Sequence, residues 1–498
     1  MYFTAEREQL EHELSSEGLA ESAKHLQDQL RLPTAALIKR LAPEDPLLRY
    51  PAVLGRLEHA RAGPLAVGDG HFVTEEGGAV VRVVPRVAAV PAAEWDSCAR
   101  GVDSSGKTCP ANPFISHAFL HALEESGSAT RGTGWLPQHL VLEDAAGGIA
   151  ACMPCYLKSH SYGEYVFDHA SDDAYERAGG SYYPKLQAAV PFTPVTGPRL
   201  LVHEGPGRSE REGLLLQAAA TLTDRLDVSS LHVTFPTREE WELAGKHGFL
   251  RRNDQQFHWR NESYEGFEDF LAALASRKRK AIRAERKRAI EGGIEIEWVT
   301  GKDLTEAHWD AFFAFYMDTG SRKWGSPYLT RQFFSLIGET MRDEILLVFA
   351  KRNGRAIAGA LNFIGPDTLY GRYWGALAEH PCLHFEVCYY QAIDFAIAHK
   401  LARVEAGAQG AHKLARGYLP VPTYSAHWIR DPGLRRAVAD YLKRERAAVA
   451  REIALLGEDH PEVATTRENL GNVYFRGGEL DKTAKNLEVV YPGGRPGQ

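Results

Sequence analysis

The sequence predicts a mixed α/β (α+β) protein built from two similar halves, with helical segments at both ends. Two observations predict this class. Strand segments rich in β-branched residues alternate with amphipathic helices from about residue 81 onward, and the two halves follow a similar order of elements. The chain is also long enough for two or three cores, because it has 498 residues, of which 44% are apolar and 25% are charged.

The predicted organisation has four parts. Residues 1–80 form a helical N-terminal extension in which we find no chemistry, and residues 81–262 form the first domain, with strands near 80–90 and 139–158 and a helix near 114–127. Residues 263–434 form the second domain. It begins with a helix over 267–290 and contains a hairpin that turns at Asn353 and Gly354. Residues 435–498 form C-terminal helices.

Composition excludes several classes of protein. The formal net charge of -7 argues against a chain dominated by nucleic-acid binding. The N-terminus carries charged side chains from its sixth residue, Glu6, and no apolar run approaches the ~18 residues that would span a bilayer, so we expect a cytoplasmic protein without a membrane span. Six cysteines are too few for a disulfide scaffold. Cys152 and Cys155 have the spacing of half a zinc site, but a second pair is missing, so no metal site is predicted.

The segment from Glu405 to Trp428 is the strongest candidate for a site. It places polar, cationic and glycine residues between two apolar-rich segments, and such a density rarely serves packing alone. Side chains that can donate to an anionic or carbonyl-bearing substrate are Gln409, His412, Lys413 and Arg416. Lys413 and Arg416 are three residues apart and would neutralise a carboxylate, a phosphate or a developing oxyanion.

Two carboxylates could take the proton of an attacking amine. Glu386 opens a predicted helix and Glu405 opens the polar segment, and either group could act as a base if burial raises its pKa towards neutrality. His384 is predicted to bind substrate, and its spacing from Cys388 also allows a thiol with a general base. A packed helix with a polar edge is the favoured explanation of that second pair.

Further substrate-binding residues are predicted on strands. In the second domain, alternation places Tyr370, Arg372 and Trp374 on one strand face. In the first domain, an extended segment would place four polar side chains on one face, and nearby side chains would complete it. These first-domain residues are Lys158, His160, Tyr162 and Glu164, with Tyr183, Lys185, Thr193 and Arg199.

A basic helix is predicted over residues 276–288. It carries eight cations against one acid, Glu285, and its candidate phosphate-binding residues are Arg277, Lys278, Arg279, Lys280 and Arg283. Two interpretations stay open. Either the helix binds an anionic partner, of which tRNA is one candidate, or it is a solvated face whose aliphatic stems cover the domain beneath.

Several ordered motifs indicate a family. They are NPF at Asn112, GWLPQHL at Gly134, YLKSHSYGEYVFD at Tyr156, YYPKL at Tyr182, PFTPVTGPRLL at Pro191, QFHW at Gln256, SRKRKAIRAER at Ser276, KWG at Lys323, LYGRYWG at Leu369, PCLHFEVCYYQAI at Pro381 and EAGAQGAHKLARGY at Glu405. Across about residues 86–446 the chain resembles the FemAB-like proteins of peptidoglycan biosynthesis or recognition. This resemblance implies two tandem acyltransferase domains of the GNAT type and acyl transfer to an amine, with aminoacyl-tRNA as the donor used by the Fem ligases.

Three functions remain open at this point. The preferred one is aminoacyl transfer to an amine of a small-molecule, peptide or cell-wall-precursor acceptor, with no tightly bound cofactor. Acetyl-CoA is a less favoured donor, because the strand–helix junction after Ala376 has no Gly-x-Gly or Gly-x-Ala loop to hold a diphosphate. The third is a non-catalytic scaffold that recognises cell-wall fragments.

The C-terminal segment HPEVATTRENLGNVYFRGGELDKTAKNL resembles one tetratricopeptide repeat. A single repeat buries too little surface to be stable alone, because such repeats need about three stacked units. We therefore expect the C-terminal helices to bind a protein partner or to mediate self-association.

Overall fold

The computed structural model describes residues 71–73, 80–102, 108–110, 112–144, 147–166, 175, 180–323, 327–407 and 411–456. All of them belong to one of the two compact units of the chain, Arg56–Arg467. Most of the predicted N-terminal extension and the whole repeat-like segment lie outside the described residues. The strand β1 (His71–Val73) falls inside the extension that was predicted to be helical.

The first half alternates strands with helices, as predicted. After β1, its elements are β2 (Val80–Val84), α1 (Ala92–Cys98), β3 (Arg100–Val102), β4 (Thr108–Pro110), α2 (His117–Glu125), β5 (Trp135–Pro137), β6 (His139–Glu143), β7 (Ile149–Met153), β8 (Cys155–Lys158), β9 (Lys185–Ala188), β10 (Leu201–Val202), α3 (Arg208–Arg225), β11 (Ser230–Thr234), α4 (Arg238–Lys246) and β12 (Leu250–Arg260).

The second half follows the predicted order of helices, hairpin, strand, helix and strand. Its elements are α5 (Phe267–Ala272), α6 (Ser276–Ala289), β13 (Ile294–Thr300), α7 (Glu306–Lys323), α8 (Arg331–Thr340), β14 (Ile345–Arg352), β15 (Arg355–Ile364), β16 (Thr368–Ala376), α9, β17 (Arg403–Glu405), a 3₁₀ turn (Ala411–Arg416), β18 (Leu419–Ile429) and α10 (Pro432–Leu456). Helix α9 has three parts: Leu383–Phe385, a π-helical turn Glu386–Tyr390 and Gln391–Ala398. The mixed α/β class is confirmed.

One predicted helix is two helices. The segment 267–290 divides into α5 and α6, because Arg279 donates from Nη1 to the carbonyl oxygens of Leu274, at 2.6 Å, and Ala272, at 3.3 Å. These bonds satisfy carbonyl groups that the end of α5 leaves without an intrahelical partner. No glycine or proline marks the break, so the sequence alone gives no signal for it.

A single large sheet joins the two halves. Within the described residues its strand order is β13-β14-β15-β16-β17-β12-β18-β11-β9-β8-β5, and a smaller sheet has the order β1-β2-β6-β7-β10. Strand β12 precedes the predicted domain boundary at residue 262, yet it lies between β17 and β18 of the second half. Residues from both sides of that boundary are therefore neighbours in the sheet.

Aromatic packing also joins the halves. Phe114 follows β4 in the first half, and its ring centroid lies 4.9 Å from that of Phe363 and 5.2 Å from that of Tyr370 in the second half. Asn112 positions this ring, because its side chain accepts a hydrogen bond from the backbone nitrogen of Phe114 at 3.0 Å. The first half thus covers the sheet beside Tyr370, where the candidate site begins.

In the described part of the chain, no helix combines the length and the apolar character that crossing a bilayer requires.

Candidate active site

The candidate site lies where β16 and β17 separate. The two strands pair in parallel only between Thr368–Tyr370 and Arg403–Glu405, after which β17 ends while β16 continues to Ala376. Ligands of open α/β sheets commonly bind beyond the carboxyl ends of parallel strands, where neighbouring strands diverge. Glu405 is the last residue of β17 and lies at this point.

Strand β16 carries a β-bulge at Arg372. Its pairing with β15 skips this residue, so that Gly371 and Tyr373 face consecutive residues of β15. A bulge displaces the alternation of side chains by one residue. Tyr370 and Tyr373 consequently share one face, while Gly371 and Trp374 share the other. The prediction that Tyr370, Arg372 and Trp374 share a face is therefore wrong.

A loop from the first half closes one side of the site. Arg372 donates from Nη2 to the carbonyl oxygen of Phe192 at 2.8 Å, and the hydroxyl of Tyr373 donates to the same oxygen at 3.0 Å. Phe192 adopts a left-handed backbone conformation with φ of 60°, which is costly for a residue other than glycine. Its ring stacks on Tyr328 at 4.8 Å, and this packing helps to hold the strained carbonyl in place.

Glu405 carries a buried carboxyl group whose hydrogen bonds are incomplete. Among the described residues, its Oε2 atom has no hydrogen-bond partner. Burial raises the pKa of Glu405 to about 7, and the neighbouring cations Arg403 and Arg372 only partly oppose that rise. A carboxyl group that titrates near neutrality can accept a proton at physiological pH.

Two side chains near Glu405, His258 and Gln256, were not predicted from the sequence. His258 pairs with Glu405 across β12 and β17, and its Nδ1 atom lies 3.8 Å from Oε1 of Glu405. On the other side of the ring, Nε2 lies 3.2 Å from Oε1 of Gln256. Both residues belong to the QFHW motif, so the signal was an alternating polar pair on one face of a strand.

Lys413 extends from the 3₁₀ turn into the same region. It is buried, and its Nζ atom donates to the carbonyl oxygen of Gly407 at 2.9 Å. Burial, followed by the nearby charge of Arg372, lowers the pKa of Lys413 to about 7. Arg372 interacts electrostatically with both Lys413 and Glu405, so the structure brings these three predicted residues together.

Aromatic rings form a wall beside these charges. The ring of His384 lies 5.3 Å from Trp374 and 5.4 Å from Tyr389, measured between centroids. The hydroxyl of Tyr389 is 2.9 Å from Nε2 of His412, and burial lowers the pKa of His412 to about 4. His412 is therefore neutral at physiological pH. These rings can pack against the apolar part of a substrate.

Glu386, by contrast, is engaged by other side chains. Its Oε1 and Oε2 atoms accept from Arg286 of α6 at 2.9 and 3.1 Å, and Oε1 also accepts from Gln391 at 2.7 Å. Burial raises its pKa while Arg286 opposes the rise. Each oxygen already holds a donor, so these contacts favour a role in fastening α6 to α9. The catalytic role predicted for Glu386 stays a prediction.

Arg416 also fastens α6. Its Nη2 atom donates to both carboxylate oxygens of Glu285, at 2.9 and 3.0 Å, and Nη1 donates to the carbonyl oxygen of His412 at 2.7 Å. The hydroxyl of Tyr390 donates to Glu285 as well. The only acid of the basic helix thus holds the turn that carries Lys413.

The cations of α6 divide into two groups. Lys278 donates to the carbonyl oxygen of Leu414 at 3.4 Å and Arg279 caps α5, so both contact the protein itself. Arg283 pairs with Glu268 but stays exposed, and Arg277 and Lys280 are exposed too. The exposed group lies on a helix that touches the Lys413 turn.

The predicted polar strand face of the first half is wrong. Strand β8 ends at Lys158, so His160, Tyr162 and Glu164 lie beyond it, in a segment that turns at Gly163, whose φ is 82°. Lys158, Glu164 and Lys185 nevertheless meet in the interior: Glu164 accepts from Lys185 at 2.7 Å and lies 3.9 Å from Nζ of Lys158. This buried cluster lies next to the Phe192 loop: Nζ of Lys158 is 3.6 Å from the ring centroid of Trp135, and the centroid of that ring is 5.3 Å from that of Phe192.

The other substrate-binding residues predicted in the first half lie in different environments. Burial lowers the pKa of His160 to about 3, whereas Tyr162 is 62% exposed. The ring of Tyr183 lies 5.6 Å from Nζ of Lys185. Arg199 is buried and donates to backbone carbonyl groups, including those of Thr234 at 3.0 Å and Val195 at 2.7 Å. These bonds favour a role in holding the fold together. Gln409 lies outside the described residues.

Comparison with known proteins adds a family and several similar folds. The family model described as FemAB-like, peptidoglycan biosynthesis/recognition, matches residues 86–462. No curated protein matches.

Three solved structures are similar in fold at low identity. The crystal structure of FemX is 10% identical with a TM-score of 0.42, covering 64% of this chain and 93% of FemX. L-PGS from Bacillus licheniformis is 10% identical with a TM-score of 0.41, covering 65% and 94%. A tandem GNAT protein from the clavulanic acid biosynthesis pathway is 12% identical with a TM-score of 0.39, covering 71% and 99%.

Proposed function

Since the chain belongs to the FemAB-like family of peptidoglycan biosynthesis/recognition, we propose that it is an N-acyltransferase that moves an aminoacyl group onto an amine. The observation that carries this proposal is the buried carboxyl group of Glu405. Burial raises its pKa to about 7, its Oε2 atom has no hydrogen-bond partner in the described structure, and the charges of Arg403 and Arg372 act on it.

The reaction needs two things that these residues can supply. An ammonium group must lose a proton before its nitrogen attacks a carbonyl carbon, and Glu405 can accept that proton. As the C–N bond forms, negative charge develops on the carbonyl oxygen, and the Arg372 guanidinium and the ammonium form of Lys413, whose pKa is about 7, can stabilise it. The C–O bond of the ester donor then breaks, and the leaving oxygen takes up the second proton that the attacking nitrogen loses, which leaves a neutral amide and a hydroxyl.

Buried polar atoms near the site that lack a hydrogen-bond partner in the described structure favour an aminoacyl group over a simple acetyl group. Buried atoms without a partner in the described structure include two donors, Arg372 Nε and the hydroxyl of Thr193, and two acceptors, Glu405 Oε2 and Asn362 Oδ1. Asn362 Oδ1 lies beside the bulge, 3.3 Å from the position of a Cβ on Gly371. An aminoacyl group offers a carbonyl to such donors and an ammonium to such acceptors, whereas an acetyl group has no donor.

The donor that we propose is aminoacyl-tRNA, and the acceptor is an amine of a peptide or cell-wall precursor. The exposed cations of α6 support an anionic carrier, because α6 contacts the Lys413 turn and a carrier bound along it would lie next to the site. We propose a cytoplasmic location on the same grounds. The C-terminal helices, residues 435–498, are proposed to bind a protein partner or a second copy.

A transfer assay tests the proposal. The purified chain is incubated with aminoacylated total tRNA and a cell-wall precursor peptide, and mass spectrometry measures the mass added to the peptide. We expect addition of an aminoacyl residue by the wild type and loss of it in Glu405→Gln. Retained transfer in that variant would contradict the role of Glu405. Calorimetry with CoA is a second test, in which micromolar binding would favour acetyl transfer instead.

Glu240→Gln is a matched control. Burial raises the pKa of Glu240 to about 7 as well, but its oxygens accept from backbone nitrogens, including those of Arg199 at 2.8 Å and Leu200 at 2.6 Å. This variant therefore tests whether loss of any buried carboxylate lowers activity. We expect it to lower the stability of the fold and to keep the turnover of the folded fraction.

A further inference from the structure

A chain of three polar side chains leads away from the candidate base. Gln256 donates from Nε2 to the carbonyl oxygen of Pro194 at 2.7 Å, and its Oε1 atom lies 3.2 Å from Nε2 of His258. The other ring nitrogen of His258, Nδ1, lies 3.8 Å from Oε1 of Glu405. Gln256 and His258 are two residues apart on β12, so they share the face on which His258 meets Glu405.

This chain determines which ring nitrogen of His258 carries the proton. The carbonyl of Pro194 can only accept, so it fixes the NH₂ end of the Gln256 amide and turns the oxygen towards His258. That oxygen can only accept as well, and Nε2 must therefore be the protonated nitrogen. Burial lowers the pKa of His258 to about 3, and Arg403, Lys413 and Arg260 contribute, so the ring is neutral and Nδ1 is a bare lone pair.

The lone pair on Nδ1 of His258 faces Glu405 and interacts differently with the protonated and the ionised form of its carboxyl group. At 3.8 Å the two atoms are farther apart than in a hydrogen bond, so the lone pair acts on Glu405 through its negative potential, which favours the protonated carboxyl over the carboxylate. We propose that Gln256 is a positioning residue for Glu405 and acts through the tautomer of His258. The inference rests on the proposed function, because the basicity of Glu405 matters only if it accepts the amine proton.

Other charged groups also face Glu405 and must be considered. Arg372 and Tyr370 lie on β16, Arg403 lies on β17 itself, and Asp367 lies in the turn before β16. The two arginines favour the carboxylate, while Asp367 favours the protonated form. These groups are the same in every Gln256 variant, so differences between the variants report on the Gln256–His258 pair.

Two substitutions should shift Glu405 in opposite directions. In Gln256→Leu the ring loses the acceptor for Nε2–H and can move its proton to Nδ1, where the N–H dipole would point at the carboxylate across 3.8 Å and make Glu405 a weaker base. The acid limb of the pH–rate profile should then move to lower pH by about one unit. In Gln256→Glu the acceptor stays and a negative charge is added, so the acid limb should move to higher pH.

A merely structural role of Gln256 would lower activity in both variants without moving the limb. Gln255→Leu is the matched control, since it makes the same change on the opposite face of the same strand. We expect its acid limb to coincide with that of the wild type. The inference would be overturned if the acid limbs of the pH–rate profiles of Gln256→Leu and Gln256→Glu both coincided with that of the wild type.

Nuclear magnetic resonance gives a readout that does not depend on activity. Two-bond proton–nitrogen correlation spectra of the full chain with ¹⁵N-labelled histidine distinguish the tautomers, and His258→Asn assigns the signals. We expect Nε2–H in the wild type and a proton shifted to Nδ1 in Gln256→Leu. A wild-type ring protonated on Nδ1 would overturn the inference. Absence of transfer by the wild type would instead overturn the proposed function, and the spectra would still decide the tautomer.

Discussion

Replacing Glu405 by glutamine should make the protein more stable in alkaline solution while it abolishes transfer. The folded protein raises the pKa of Glu405 from 4.5 to about 7, a difference of about 2.5 units, because the buried carboxylate is poorly compensated. Because the pKa is raised on folding, the neutral carboxyl of Glu405 contributes fully to the stability of the fold below pH 4.5, and this contribution is lost as the pH rises through about 7. Glutamine has the same shape and stays neutral.

The size of the effect follows from linkage. Each unit of pKa difference is worth about 1.4 kcal/mol, so ionisation of Glu405 costs the folded state up to about 3 kcal/mol at pH 8 and under about 1 kcal/mol at pH 5. Urea denaturation followed by tryptophan fluorescence measures the free energy of unfolding of both proteins at the two pH values. We expect the advantage of Glu405→Gln to grow by about 2 kcal/mol from pH 5 to pH 8. An advantage that does not grow would refute the argument for a strained, ionisable carboxyl group.

Three further results are expected. Lys413→Ala should abolish transfer and leave the fold intact. The control Lys302→Ala, at an exposed lysine, should keep full activity. A normal turnover rate in Lys413→Ala would exclude Lys413 from oxyanion stabilisation. Glu285→Gln should lower kcat about tenfold through a less firmly held Lys413 turn, with the acid limb of the pH–rate profile unmoved, as steady-state kinetics will show. Joint replacement of the exposed Lys280 and Lys287 by alanine should raise KM for aminoacyl-tRNA and weaken its dependence on salt; an unchanged salt dependence would mean that RNA does not use α6.

Much of the fold can be predicted from the sequence because its signals are local. Strand alternation, the helical spacing around Phe119 and the Asn353-Gly354 turn each depend on neighbours in the chain. The join between the halves could not be predicted in this way. It depends on β12 pairing with β17, whose residues follow it by more than a hundred positions.

The candidate site shows the same limit. Glu405 and Lys413 were accessible to sequence reasoning because they share one polar, glycine-bearing segment. The strand face of Arg372 was not, because one bulge reverses alternation without any glycine or proline at that residue. Glu386 was a reasonable candidate base, but its partner Arg286 lies a hundred residues earlier, and only the fold shows that the two form an ion pair.

His258 and Gln256 illustrate a signal that was visible but incomplete. Gln256 and His258 alternate with the aromatic residues Phe257 and Trp259 at the end of β12, and this pattern indicates a polar face that serves more than packing. Neither residue carries an ordinary charge at neutral pH, and their link to Glu405 arises only when β12 and β17 pair. Chemistry that depends on cross-strand register is the part that a single sequence hides.

The most direct measurement is the identity of the group that the protein transfers. Wild type and Glu405→Gln are each offered aminoacyl-tRNA and acetyl-CoA with the same cell-wall precursor peptide, and the mass of the peptide is recorded. Our account predicts an aminoacyl increment with the wild type, from aminoacyl-tRNA alone, and none with the variant. An acetyl increment, or an aminoacyl increment of equal size with Glu405→Gln, would contradict it.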